Sequence, residues 1–326
     1  MVKKLLLLAV AALLMVPVLP LSVGAQDDLP KIGFLPGVVD PFYQVMELGI
    51  NQAAADLGIE VVTQYPDDWN VTLQTPLLDS FVARGDLDYI IIAPVDKEQM
   101  IAPLQAAVDA GIKIITVDTF LGDGDYVNGP VTFPLSYIGS DNLEGGRIAG
   151  EYLAEKLGGE GKVYVQNTNV GVSTTEQRGQ GFIEAIEAHP GMELVGMDYN
   201  LDDANTATEQ TAAVLQREPE LAAIFGVNVF SAIGAGNAVN NAGLGGAVDV
   251  VAFDATQYAI EQLRAGTVSL VIAQKPFDMG YLAMEFALAD WRGVTSLPLR
   301  VPTGYAVITA DNVDDPEIAR FIYQVP

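Results

Sequence analysis

The sequence contains no cysteine and only one histidine, His189, among 326 residues. Without thiols there can be no disulfide, no thiolate nucleophile and no Cys-ligated metal. A single His leaves zinc sites and Ser–His–Asp triads almost without material. Basic residues are also scarce, with 16 Lys+Arg against 42 Asp+Glu and a formal net charge of −26. That balance argues against nucleic acid and anionic membrane surfaces as partners. No Gly-x-Ser-x-Gly elbow and no phosphate-cradling Gly-rich loop with Lys is present. Gly234-Ala-Gly236 lies inside a helical stretch and lacks the third Gly of a dinucleotide fingerprint. Catalytic residues and cofactors are therefore not expected.

Long apolar runs are limited to the N-terminus. Lys3 and Lys4 precede the apolar stretch Leu5 to Val16, and Val23-Gly-Ala25 supplies small residues before Gln26. Pro17 and Pro20 interrupt the run, which falls short of the ~20 residues of a membrane span. Residues 1–25 are thus expected to be a cleavable signal peptide. The protein would be periplasmic or otherwise extracytoplasmic, with no membrane insertion after cleavage. Removing residues 1–25 takes away two Lys and no acid, so the formal net charge of −26 becomes −28.

What is present is strand and helix in alternation. Val248-Asp-Val-Val-Ala-Phe-Asp254 is a short β-branched apolar run that ends in an acid, followed at once by a helix from Thr256. Such a run predicts a parallel strand covered on both faces. Asp254 then stands at the carboxyl end of a strand, where open α/β sheets bind ligands. The unit is duplicated. Leu87 to Pro94, a helix to Ala110, and Gly111 to Thr119 match Leu221 to Asn228, a helix to Ala242, and the run ending at Asp254. Asp118 falls opposite Asp254. Two copies of one half predict two similar Rossmann-like α/β lobes with parallel sheets and a ligand cleft between them.

The pattern predicts three crossovers between the lobes, near residues 134, 275 and 303. The expected partition is 29–134 plus 275–302 for the N-terminal lobe and 135–274 plus 303–326 for the C-terminal lobe. Residues 121–134 form the longest irregular stretch. Asp123, Asp125 and Asn128 bring oxygens together there, but the loop lacks the spaced acids and twelfth-position Glu of a calcium loop, so no metal is expected.

Five segments, in order, resemble the periplasmic sugar-binding proteins of ABC transporters, of the ribose-binding type. They are Asp40-Pro-Phe-Tyr43, Asp141 to Gly150, Glu176 to Phe182, Phe253-Asp-Ala-Thr256 and Ala273-Gln-Lys-Pro276. The resemblance covers the chain beyond its leader. It implies the type I periplasmic binding fold, closed by a hinge. It also implies capture of a neutral monosaccharide or polyol, delivery to the permease of an ABC importer, and a monomer. The ligand-binding residues it implies are Asp40, Phe42, Tyr43, Asp118, Thr119, Arg178, Asp202, Asn228, Asp254 and Gln274. Two positions depart from the ribose-binding pattern. Thr119 stands where an Arg follows the strand-end Asp, and Asp202 stands where an aromatic is usual.

These side chains suit a sugar. Asp accepts from adjacent hydroxyls, Arg donates in pairs, and Asn and Gln do both. Three of the strand-end and cap acids, Asp40, Asp118 and Asp254, against one Arg178 disfavour an anionic ligand. Simpler roles compete. Asp40 would cap a helix, Phe42 falls in register with a buried helix face, and Arg178 on an exposed turn would merely be solvated. Other functions compete as well. A sensor presenting a sugar-like signal to a membrane receptor would use the same closed form. A secreted carbohydrate-active enzyme would need only paired acids. A ligand-responsive transcription regulator would need a DNA-binding head, whereas the N-terminus here reads as a signal peptide on a strongly acidic chain.

Overall fold

The computed structural model describes residues 29–325, so the expected signal segment lies outside the described residues. The chain folds into two six-stranded sheets. The first is built from β1 (Lys31–Leu35), β2 (Glu60–Thr63), β3 (Tyr89–Ile92), β4 (Lys113–Val117), β5 (Ser136–Gly139) and β11 (Arg300–Pro302), in the order β11-β5-β4-β3-β1-β2. The second contains β6 (Glu160–Asn167), β7 (Gly191–Tyr199), β8 (Leu221–Gly226), β9 (Asp249–Phe253), β10 (Val268–Ala273) and β12 (Ala306–Ile308), in the order β12-β10-β9-β8-β6-β7. The five leading strands of each sheet follow one order, so the duplication read from β3–β4 and β8–β9 extends over both halves. All pairings are parallel except β10 with β12. The central strands are almost entirely apolar and buried, as strands with helices on both faces require.

The strand pairing corrects one boundary. Residues 135–139 were expected in the second lobe, but β5 pairs with β4 in the first sheet, Ile115 opposite Ser136. The chain crosses after Gly139, not before Leu135. It crosses back between β10 and the helix α9 (Pro276–Trp291), and again between β11 and β12. The three connections lie together: Ser140 Oγ donates to Gln274 Oε1 at 2.8 Å, and the Thr303 amide donates to the Gly139 carbonyl at 3.0 Å.

Helix pairs cover the sheets, and small residues let them approach. The helix α1 (Pro41–Leu57) begins at the Asp40 cap and packs on α9, where Gly49 and Gly280 face backbone carbonyls of the partner helix. In the other lobe α4 (Asn142–Lys156) packs on α5 (Ser173–Glu187). A Cβ on Gly146 would come within 1.9 Å of the Arg178 carbonyl oxygen, and one on Gly181 within 2.0 Å of the Leu143 carbonyl oxygen. Gly146 and Gly181 therefore set the separation of α4 from the helix that carries Arg178.

Gly146→Ala tests this. Helix propensity alone favours Ala by ~1 kcal/mol. The clash is with backbone, which cannot rotate away, so overpacking of ~1–3 kcal/mol is expected to prevail. The variant should melt several degrees below the parent in a circular dichroism experiment. An unchanged or higher melting temperature would contradict the close-packing role.

Candidate functional site

The loops that follow the strands meet between the lobes around a cleft whose empty space, counting the part open to solvent, is about 380 Å³. Each lining acid arrives at the carboxyl end of a strand: Asp40 after β1, Asp118 after β4, Asp202 after β7 and Asp254 after β9. Asn228 follows β8 and Gln274 follows β10.

Asp118 and Asp254 are equivalent in backbone as well as in order. Both adopt left-handed φ values, 59° and 74°. Each amide donates to the next strand, Asp118 to the Ile138 carbonyl and Asp254 to the Ile272 carbonyl, both at 2.9 Å. The left-handed turn aims each carboxylate into the cleft. Their partners differ. Asp118 accepts a hydrogen bond from the Tyr43 hydroxyl at 2.6 Å. Asp254 accepts from Gln274 Nε2 and from the Tyr323 hydroxyl, both at 2.9 Å.

Asp40 combines two roles weighed from sequence. Its Oδ1 caps α1 by accepting from the Tyr43 amide at 2.8 Å, and the residue also lines the cavity. Phe42 and Tyr43 are both buried, yet both reach the cavity wall. Asn228 caps the helix α7 (Val229–Asn241) through Oδ1 and donates from Nδ2 to Asp202 at 2.6 Å. Asp202 sits on a tight turn with φ 61°.

Arg178 is not a solvated charge. It is 3 % exposed, with Nε donating to Asn142 Oδ1 at 2.8 Å and Nη1 to the Val227 carbonyl at 3.0 Å. Its guanidinium lies 3.9 Å from the centre of the Phe253 ring. The remaining amine reaches to 4.0 Å from Asp118 across the cleft. Arg178 is the only basic residue among those lining the cavity.

One guanidinium does not balance four carboxylates, and burial raises the proton affinity of all four. Desolvation pushes Asp118 up to about 6, against the opposing pull of Arg178 and the Tyr43 hydrogen bond. Desolvation pushes Asp202 up to about 7, opposed by the Asn228 hydrogen bond and reinforced by Asp68 and Asp254. Asp40 is raised well above the usual carboxylate range and Asp254 is raised too, burial being the main cause in each.

Thr119 is the correction among the expected residues. It does not line the cavity. The left-handed turn at Asp118 sends the next side chain backwards, and the Thr119 hydroxyl donates to the Pro94 carbonyl at 2.8 Å. It ties the ends of β3 and β4 together.

Several lining residues were missed. Trp69 lies in the loop that follows β2. Thr174 and Thr175 open α5 one turn before Arg178, on the face that Arg178 marks. Thr168 follows β6 and its hydroxyl lies 3.0 Å from that of Thr175.

The lobes touch at the mouth of the cleft. Lys97, after β3, pairs with Glu176 on α5 at 2.5 Å, and its amide donates to the Gly171 carbonyl at 3.0 Å. The Phe120 amide donates to Ser173 Oγ at 3.1 Å. The site is thus closed over. Among the described residues no cluster of His, Cys, Asp and Glu is arranged to hold a metal ion. Asp123 and Asp125 instead accept from backbone amides of their own loop.

Known proteins match this architecture. The periplasmic binding protein domain profile matches residues 32–293. The ribose import binding protein of Salmonella typhimurium is 30 % identical over 248 residues, 76 % of this chain and 80 % of that protein. The D-ribose/D-allose-binding protein of Pseudomonas aeruginosa is 28 % identical over 85 % of this chain and 88 % of that protein. An ABC transporter solute-binding protein from Agrobacterium vitis, crystallised with α-D-tagatopyranose, superposes with a TM-score of 0.88. It is 45 % identical, covering 90 % of this chain and 99 % of that one. A carbohydrate transporter solute-binding protein from Agrobacterium radiobacter, in complex with D-arabinose, superposes with a TM-score of 0.84 at 26 % identity, over 91 % of this chain and 99 % of that one. These relatives are all named as binding proteins for sugars or solutes. By its fold, its cleft and its sequence, the chain belongs to the periplasmic binding protein domain family.

Proposed function

We propose that this protein captures a neutral monosaccharide or polyol outside the cytoplasm and delivers it to an ABC importer. The observation that carries the reading is the set of three buried acids and a half-buried fourth, with one Arg, one Asn and one Gln, converging on a cavity with aromatic walls. Asp40, Asp118, Asp202 and Asp254 would accept from ligand hydroxyls. Arg178, Asn228 and Gln274 would donate to them, and Phe42 and Tyr43 would meet the apolar face of the ring. An anionic ligand would face excess acid in a closed site. The tagatopyranose carried by the 45 % identical relative makes a ketohexose the first sugar to try. Residues 1–25 serve as the export signal in this reading. Among the described residues no helix is long and apolar enough to cross a membrane.

Binding is tested by a thermal-shift screen of sugars, polyols, amino acids and polyamines. A ligand at a thousandfold excess over its Kd stabilises the folded state by ~4 kcal/mol, a shift of several degrees. Shifts confined to cationic compounds would overturn the sugar reading.

The site residues are tested by Asp118→Asn and Asp254→Asn. Asn tolerates the left-handed backbone at both positions, so the fold should survive. Each change weakens the acceptors of charge-assisted hydrogen bonds worth ~1.5–3 kcal/mol apiece. Calorimetry should show affinity lower by ~100-fold or more, and parental affinity in either variant would refute the assignment.

Closure makes a kinetic prediction. Glu176 touches Lys97 of the other lobe and does not line the cavity. Glu176→Gln should raise the ligand dissociation rate severalfold in stopped-flow, since a half-exposed ion pair is worth at most ~1 kcal/mol. An unchanged dissociation rate would remove the contact from closure.

The raised carboxyls also give a pH prediction. Asp202 holds its proton more firmly folded than unfolded, up to about 7. Its contribution to stability is therefore full only below the ordinary carboxylate value of about 4, and is lost progressively as pH rises from there to about 7. Without ligand, the advantage of Asp202→Asn over the parent in melting temperature should be smallest at about pH 4 and should grow up to about pH 7. A difference that does not grow with pH would contradict the buried, proton-holding state.

A further inference from the structure

We infer that Tyr323, from the C-terminal tail, is a positioning residue of the cleft: its hydroxyl holds Oδ1 of Asp254 and so leaves Oδ2 to the ligand. The inference rests on the sugar-binding reading and adds to it a residue behind the cavity wall.

The two strand-end acids that the duplication pairs are each held by a tyrosine hydroxyl, and the two tyrosines come from unrelated places. Tyr43 lies on α1, in the same lobe as Asp118, and donates to Oδ2 of that acid. Tyr323 lies 69 residues beyond Asp254 and donates to its Oδ1 at 2.9 Å. The tail is outside the repeated unit, yet it reproduces the bond found at Asp118. The direction of the bond is fixed. The Gln274 amide donates to the Tyr323 hydroxyl at 3.2 Å, so the hydroxyl accepts there and keeps its one hydrogen for Asp254. Gln274 Nε2 donates to the same Oδ1 at 2.9 Å. Two side-chain donors thus fall on one oxygen, and Oδ2 is the freer acceptor for a ligand hydroxyl.

The tail is anchored on both sides of this contact. Arg264 pairs with Asp314 at 2.7 Å, and the Tyr323 amide donates to the Ala255 carbonyl at 2.8 Å, one residue past Asp254. Tyr323 is 2 % exposed, and its ring meets that of Phe42 from the other lobe, with centroids 6.1 Å apart. Its outer side faces a groove at the crossing between β10 and α9, lined also by Lys275, Phe277 and Phe321. The ring therefore stands between that groove and Asp254 and keeps water from the carboxylate on the side away from the cleft. Dry surroundings strengthen a hydrogen bond to the ligand but make the charge costlier. The hydroxyl works against that cost. Burial raises the proton affinity of Asp254, while Arg178, Gln274, Tyr323 and the Val229 amide lower it. The other titratable groups that face it are Asp40, Asp118, Asp202 and Tyr305.

Tyr323→Phe removes the hydroxyl and keeps the ring, so the fold and the wall behind Asp254 remain. Calorimetry with D-tagatose, and with other aldoses and ketoses if it does not bind, should show affinity lower by about tenfold at neutral pH, the effect of losing one charge-assisted hydrogen bond. The pH profile of affinity is the second readout, and packing alone would not move it. The ligand hydroxyl binds the ionised carboxylate, so affinity falls as pH falls through the value Asp254 has in the free protein. Removing a donor raises that value, and the groups around Asp254 are otherwise the same in both proteins. The fall should therefore begin at higher pH in Tyr323→Phe, and the ratio of parental to variant affinity should grow as pH is lowered from about 8 to about 5. Parental affinity in the variant, or a loss that is equal at every pH, would overturn the inference. A parent protein that binds no sugar by calorimetry would instead overturn the sugar-binding reading, and this inference with it.

Discussion

Four carboxylates meet in one closed cavity with a single guanidinium to answer them, and much of the architecture around the cleft is arranged to hold that imbalance. Each acid is aimed inward by backbone, not by a countercharge. Asp118 and Asp254 occupy left-handed turns, Asp202 another, and Asp40 is fixed as the cap of α1. Burial makes these carboxylates harder to ionise, as the raised values at Asp118 and Asp202 express. A molecule that brings many hydroxyl donors and no negative charge favours the ionised forms. The type of ligand thus follows from the charge count of the cavity as much as from any one side chain.

Arg178 can remain in that cavity because its surroundings remove its freedom. Asn142 and the Val227 carbonyl take two of its donors, and the Phe253 ring takes its face. Asn142 starts α4, Arg178 lies on α5, and the glycines at 146 and 181 bring those two helices to backbone contact. The segment Asp141 to Gly150, conspicuous in the sequence for its glycines, therefore acts on the site at one remove. It sets where the guanidinium sits. The fixed side chain then has its remaining amine directed toward Asp118 in the opposite lobe.

The fold was legible because its signals are local. Apolar strand runs, the helix cap at Asp40 and the repeated strand–helix–strand unit all lie within short windows, and the strand-end rule located Asp118 and Asp254. Sheet membership is not local. Residues 135–139 read as a strand in either lobe, and only pairing with β4 decides between them, so the long loop before Leu135 was mistaken for the crossing. Thr119 failed for a related reason. Adjacency to Asp118 suggested a shared role, but the positive φ between them sends the two side chains apart. Trp69, Thr168, Thr174 and Thr175 were missed because a half-buried Trp in a loop and a Thr in a helix's first turn have ordinary structural uses, and only convergence in space gives them another.

The duplication also explains why the two halves do not behave alike. Their strands and their paired aspartates are equivalent, but the segments added at the crossings are not. Asp254 is held by Gln274, which itself accepts from Ser140, so one cavity-facing acid is bonded directly into one of the three connections between lobes and through it to a second. Tyr323, from the C-terminal tail, adds a further bond. Asp118 has no such link; its partner Tyr43 belongs to its own lobe. A hydroxyl that engages Asp254 therefore pulls on groups that must move relative to one another when the cleft opens, whereas one that engages Asp118 pulls on a rigid wall. With ion-pair contact at the cleft mouth limited to partly exposed side chains such as Lys97 and Glu176, the lobes have little of their own to hold them shut against the repulsion of the buried acids. Ligand hydroxyls relieve that repulsion only when both lobes reach them, and this ties closure to occupancy.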